Sequence, residues 1–74
     1  MKGYKTSKDY KRLKELLDKE YKVVFFQKND TLPSLAGKND GHYWFWECGL
    51  ATNDYDYLSL CKQNDIEFIE PEEE

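Results

Sequence analysis

The stretch His42-Tyr43-Trp44-Phe45-Trp46-Glu47-Cys48 decides the fold, because it is apolar on both of its alternate faces. As a strand it places Trp44, Trp46 and Cys48 on one side and Tyr43 and Phe45 on the other. A chain of 74 residues lies near the lower limit for a single unstapled hydrophobic core. Two short helices can cover one face of a sheet, so one set of rings stays in the open with half of Val23-Val24-Phe25-Phe26. The segment points to a partner surface, on a second copy or on a target macromolecule. The alternative is that the loop before it, the N-terminal arm and Tyr4 fold over that face.

Upstream, residues 28–41 are rich in turn formers and lie between two strand-like runs, which reads as a long loop. Lys-Asn-Asp occurs at each end of it, at 28–30 and 38–40, as turn residues of the strand ends. Residues 21–27 form the preceding strand, apolar in both parities and so central. Before it runs an amphipathic helix over 9–19, capped by Thr6 or Ser7. Tyr10, Leu13, Leu16 and Leu17 share one side, and Lys8, Lys11, Glu15 and Lys19 the other.

Downstream, Gly49 ends the aromatic strand and Thr52 or Asn53 caps a second helix over 54–63. Asn64-Asp65 breaks that helix, residues 66–70 form a third strand, and Pro71 with three glutamates closes the chain as a frayed tail. The expected fold is a single α+β domain over 1–74, ordered α-β-β-α-β. Its three-stranded, mostly antiparallel sheet carries both helices on one face. At an offset of 45 residues Tyr10/Tyr55, Leu13/Leu58, Leu16/Cys61 and Val23/Phe68 correspond, as a duplication or as a shared helix-then-strand pattern.

Composition narrows the class. Charged residues at 35% with hydrophobic residues at 39% describe a globular domain rather than a disordered one. No apolar run approaches the ~20 residues of a membrane helix, and the first ten residues are too polar for a signal peptide. A cytoplasmic chain is expected. Cys48 and Cys61 are too few for a disulfide framework, and read either as two buried thiols or as a single bridge. Residues 1–28 carry a net +5 and residues 29–74 a net −9. This asymmetry either steers charged partners or is neutralised within the fold or between protomers.

Chemistry is sparse. The single histidine, His42, lies six residues from Cys48, roughly 20 Å along a continuous strand and out of reach for a nucleophilic pair. A His42–Cys61 pair is geometrically open, with nothing to favour it. Asp30, Asn39 and Asp40 offer oxygen ligands without the alternation and terminal Glu of a calcium loop. Around Gly37-Lys38 the leading glycine and following Ser/Thr of a phosphate loop are missing. The lysine-rich front suggests nucleic acid, but a pI of about 4.9 opposes direct binding. No catalytic residue, metal or cofactor is assigned.

Two stretches carry a resemblance: Thr6-Ser7-Lys8-Asp9-Tyr10-Lys11-Arg12-Leu13 continuing to Tyr21-Lys22-Val23-Val24, and Asn64-Asp65-Ile66-Glu67-Phe68-Ile69-Glu70-Pro71. They resemble small uncharacterised proteins carried by phages and mobile elements of gut bacteria. The resemblance covers the two ends and neither the aromatic strand nor the loop. It implies context: small, acidic, non-enzymatic phage proteins are often inhibitors of host defence, anti-CRISPR proteins among them.

The expectation is a non-enzymatic binder that blocks a host defence effector by docking on it. Its candidate contacts are Tyr43, Trp44 and Trp46 with Asn29, Asp30, Lys38, Asn39 and Asp40 of the loop. Two rivals stand beside it. One is a homo-oligomer trapping a nucleotide signal between aromatic walls, and the other is a structural oligomer such as a homodimer.

Overall fold

The computed structural model describes residues 5–28 and 31–71. Eight elements follow in order: β1 (Thr6–Ser7), α1 (Tyr10–Asp18), β2 (Val23–Phe26), β3 (Ser34–Asn39), β4 (His42–Phe45), β5 (Gly49–Ala51), α2 (Asp54–Gln63) and β6 (Glu67–Ile69). The six strands form one sheet in the order β1-β6-β2-β3-β4-β5, and every ladder is antiparallel. Strands β2 to β5 make a meander, and α2 carries the chain back so that β6 inserts between β1 and β2.

The α+β class, the two helices and the antiparallel sheet match expectation; the strand count does not. Six strands replace three because Thr6–Ser7 adds β1 beside β6, because the 28–41 segment holds β3, and because the aromatic run turns at its end instead of continuing to Cys48, which frees β5. Strand β3 reads Ser-Leu-Ala-Gly-Lys-Asn, poor in β-branched and aromatic residues, so local propensity hid it. The hairpin signal was nevertheless present. Asn39 pairs with His42 across the two-residue loop Asp40-Gly41, with φ of 54° and 79°, the pattern of a type I′ turn.

The β4–β5 turn is closed by the Cys48 N–H donating to the Phe45 carbonyl at 2.9 Å. Glu47 takes φ 71° in its third position, where a type II turn requires φ > 0. Gly49 therefore opens β5 rather than ending β4.

Both helices begin on a side-chain cap. The Asp9 carboxylate accepts from the Arg12 N–H and the Asn53 side chain from the Asp56 N–H, so Asp9 caps α1 in place of Thr6 or Ser7. They also end alike. Glu20 N–H donates to Leu17 and Tyr21 N–H to Leu16; Asp65 N–H donates to Lys62 and Ile66 N–H to Cys61. Each is a Schellman closure, with Glu20 (φ 68°) and Asp65 (φ 48°) where glycine is usual. These closures sit 45 residues apart, and they account for part of the sequence echo. On the helix faces the echo holds only in part: Leu16 and Cys61 are both buried, but Leu13 is buried while Leu58 is exposed, and Tyr55 is exposed where Tyr10 is half-buried.

The core lies between the helices and one sheet face. Leu13, Leu16 and Leu17 of α1 and Tyr57 and Cys61 of α2 meet Val23, Phe25, Ala36, Tyr43, Phe45, Ala51 and Phe68 of the sheet. Phe45 packs edge-on to Phe25 with centroids 5.7 Å apart and lies 5.9 Å from the Tyr57 ring. The buried hydroxyls are satisfied. Tyr57 donates to the Tyr10 carbonyl at 2.7 Å and Tyr10 to the Ile66 carbonyl at 2.9 Å, linking α2, α1 and the approach to β6.

Replacing Glu20 with glycine relieves the left-handed strain at the end of α1. Glu20→Gly is expected to raise stability by about 0.5–1 kcal/mol, net of the extra freedom of the unfolded chain. Urea denaturation reads this directly, and a lowered midpoint would refute the strain.

Candidate functional site

The strand parity that the sequence left open is settled by burial. Tyr43 and Phe45 point under the helices, at 6% and 2% exposure, while Trp44 and Trp46 point outward. Strand pairing arranges the outer face in two rows. Val24 stands opposite Leu35, and the Trp46 N–H donates to the Leu35 carbonyl at 2.9 Å, giving the row Val24–Leu35–Trp46. Gly37 stands opposite Trp44 and Trp44 opposite Leu50, giving the row Gly37–Trp44–Leu50.

The two indoles are held differently. A Cβ on Gly37 would collide with Trp44 Cζ2 and Cε2, so the Trp44 ring lies flat against the glycine and is half-buried. Trp46 stands just beyond β4 and is 64% exposed, beside Leu50 at 63% and Leu35 at 44%. On this face a hollow of about 790 Å³ is lined by Val24, Pro33, Ser34, Leu35, Trp44 and Trp46. That lining contains no ionisable side chain.

The other candidate residues lie elsewhere. The Tyr43 hydroxyl donates to Asp18 Oδ1 at 2.6 Å, and Lys38 Nζ reaches the same oxygen at 2.9 Å. Lys38 and Lys14 also place their ammonium groups 5.2 and 5.7 Å from the Tyr43 ring centroid. Tyr43 is thus a core residue with a polar tip and shares no surface with the indoles. Asn39 and Asp40 are exposed at the β3–β4 turn. With Asp18, Glu20, Lys22, Lys38 and Gly41 they line a separate polar hollow of about 290 Å³. Asn29 and Asp30 fall outside the described residues.

Sequence reasoning put half of the 23–26 run on the face, which proves to be the half that includes Val24, and missed Pro33, Leu35 and Leu50. Leu35 sat in a presumed loop and Leu50 beyond a presumed strand end. The Asp40-Gly41 turn was the one signal that would have placed Leu35 beside the indoles.

The thiols are poor nucleophiles. Both cysteines are free, so they form no bridge. Burial pushes the Cys61 thiol up to about 12, and burial with the neighbouring Glu47 raises that of Cys48. Reactive cysteines need the opposite shift. His42 is half-buried, its Nδ1 3.3 Å from the Asp40 carbonyl oxygen. Among the described residues no group of three or more His, Cys, Asp or Glu converges as a metal site, and no helix is long and apolar enough to cross a membrane. Comparison with family models, curated proteins and solved structures finds no match to this chain.

The Asp18 cluster makes stability depend on pH. The Tyr43 hydroxyl first, and the Lys38 ammonium next, hold the Asp18 carboxyl below its usual range. A depressed folded value stabilises fully above the unfolded value of about 3.9 and is lost as pH falls through the folded one. Tyr43→Phe is expected to lower the urea midpoint at neutral pH, by a margin that shrinks below about pH 4. An equal margin at both pH values would remove Asp18 from the account.

Proposed function

We propose that this chain works by binding a protein through the outer face of its sheet, with Trp46 as the principal anchor. One observation carries the reading. Trp46, Leu50 and Leu35, all exposed, adjoin Trp44 and Val24 in one contiguous apolar patch on the side without helices. Aromatic side chains of this kind dominate binding hot spots. Leu32, in the loop that the alternative reading folds over the face, is itself 72% exposed, and Tyr4 falls outside the described residues.

The nucleotide-sponge reading is the weaker one. Phosphate capture needs cations, and no lysine or arginine lines the outer hollow. An inhibitor of a host defence effector is the narrower form of the protein-binding reading. Its support is the resemblance of the two chain ends to phage proteins, and no residue of the outer face adds to it.

A benzophenone-bearing residue in place of Leu50 tests the reading. Irradiated in bacterial lysate, it should form covalent adducts with protein, of its own kind or another. The same group in place of Lys11, on the exposed side of α1, should not. Adding Trp46→Asp should abolish the adducts while shifting stability by no more than about 0.5 kcal/mol, as for an exposed site. No excess of adducts at position 50 over position 11 would overturn the proposal.

A further inference from the structure

We infer that Asp40 is a site of spontaneous covalent modification: its carboxyl cyclises onto the Gly41 nitrogen and reopens as isoaspartate, which loosens the β3–β4 hairpin. The inference is independent of the docking reading above. Among the aspartates and asparagines of the chain, Asp40 alone precedes a glycine. Glycine puts no side chain in the path of ring closure. The space is open as well, with nothing within 4 Å of where a Gly41 Cβ would stand, and both turn residues are exposed.

Backbone hydrogen bonding singles out the same site. An attacking amide nitrogen must shed its proton, and an N–H that donates to a carbonyl keeps it. The amide after Asp18 donates to the Glu15 and Leu16 carbonyls, the one after Asp56 to Asn53, and the one after Asp65 to Cys61. The β3–β4 ladder closes on Asn39 and His42, which leaves the Gly41 N–H outside it. His42 Nδ1 lies 3.3 Å from the Asp40 carbonyl oxygen, and that oxygen only accepts, so the ring nitrogen carries the proton and donates. This contact draws electron density from the Asp40–Gly41 peptide and makes the Gly41 N–H more acidic.

The atoms balance with water alone. The Gly41 nitrogen bonds to Asp40 Cγ, and the carboxyl hydroxyl leaves with the amide proton as water. Water then adds to either carbonyl of the cyclic imide. Opening at Cγ restores aspartate. Opening at the former peptide carbonyl breaks its bond to nitrogen, and the main chain thereafter runs through Cβ and Cγ.

The left-handed conformation of Asp40, at φ 54°, holds its carboxyl away from the Gly41 nitrogen, so closure waits on rotation about the Cα–C bond. That conformation is disfavoured for a residue with a Cβ, and it stands at a loop tip beyond the last ladder pair. Opening there costs little. Isoaspartate adds one main-chain atom to a loop whose two-residue length fixes the pairing of Asn39 with His42. Gly37 and Trp44 pair on the same hairpin, two residues further in.

Ageing the purified full chain at physiological temperature, folded and in urea, tests the inference. Isoaspartate is read by methyl transfer from radiolabelled S-adenosylmethionine with a purified isoaspartyl methyltransferase, and it is placed by peptide mapping. It should accumulate at position 40 ahead of every other aspartate, at a folded rate within about tenfold of the unfolded one. The isolated aged form should keep its mass and show a lowered urea midpoint. Asp40→Glu, which would have to close a larger ring, should lose the signal. Glu20 and Glu47 already hold a positive φ in this fold, so the variant keeps the turn.

Isoaspartate forming first at another aspartate, an undiminished signal in Asp40→Glu, or an aged form as stable as the fresh one would overturn the inference. So would a folded rate more than about tenfold below the unfolded one, since the turn would then be locked.

Discussion

Two helices of nine and ten residues lie against one face of a six-stranded sheet, and this one-sided cover governs the rest of the structure. It forces each strand to present one parity to the helices. Large and small side chains alternate across the inner face to fill it: Ala36 stands opposite Phe45, and Ala51 opposite Tyr43. A slip of one residue in β4 would carry Trp44 into the space that Phe45 fills and expose the rings that pack on Tyr57. Register is therefore pinned by side-chain volume as well as by the two-residue turn. The same constraint leaves Val24, Leu35, Trp44 and Leu50 with no layer above them among the described residues. Domains normally close such a face with a further layer, which makes the outer surface the natural place to look for a partner.

How far the sequence revealed this depended on where local preference agreed with tertiary demand. The helices were legible from their apolar spacing, and α2 also from its cap, since Asn53 was one of its two candidates. That helix spans 54–63 as its pattern indicates, whereas the cap of α1 was not legible. Strand β2 was legible because Val-Val-Phe-Phe has no competing structure, and its interior position between β6 and β3 follows from its apolarity in both parities. Strands β1, β3 and β5 were not. Thr6–Ser7 and Gly49–Ala51 hold only because a neighbouring strand offers them a ladder, a long-range fact with no local signature. Half of the candidate face was thus visible as aromatic residues. The other half, Leu35 and Leu50, became visible only when the pairing placed them.

Charge illustrates the same division. The basic front and acidic back of the chain meet in the fold: Lys8 lies 3.0 Å from Asp65, Arg12 3.8 Å from Glu70 and Lys14 3.5 Å from Asp54. Each such exposed pair contributes between nothing and about 1 kcal/mol. Their greater effect is to leave less uncompensated charge on the helical side for steering partners. Asp18 is the exception in kind, because it ties the end of α1 to Tyr43 and Lys38 on two different strands. It fixes the ring that separates the core from the polar end of the sheet.

The outer face owes its form to a residue that argues against a strand. Gly37 weakens β3 by local preference, yet only a glycine there lets the Trp44 indole lie flat on the backbone. Trp44 has therefore already gained much of its burial within the protomer, and it serves as the floor of the hollow. Trp46 has not. With nearly two-thirds of its surface in water, it keeps on the order of 3 kcal/mol of hydrophobic stabilisation unrealised until something covers it. Two tryptophans two residues apart on one strand thus divide their roles. One shapes the surface, and the other holds most of what that surface can gain from contact.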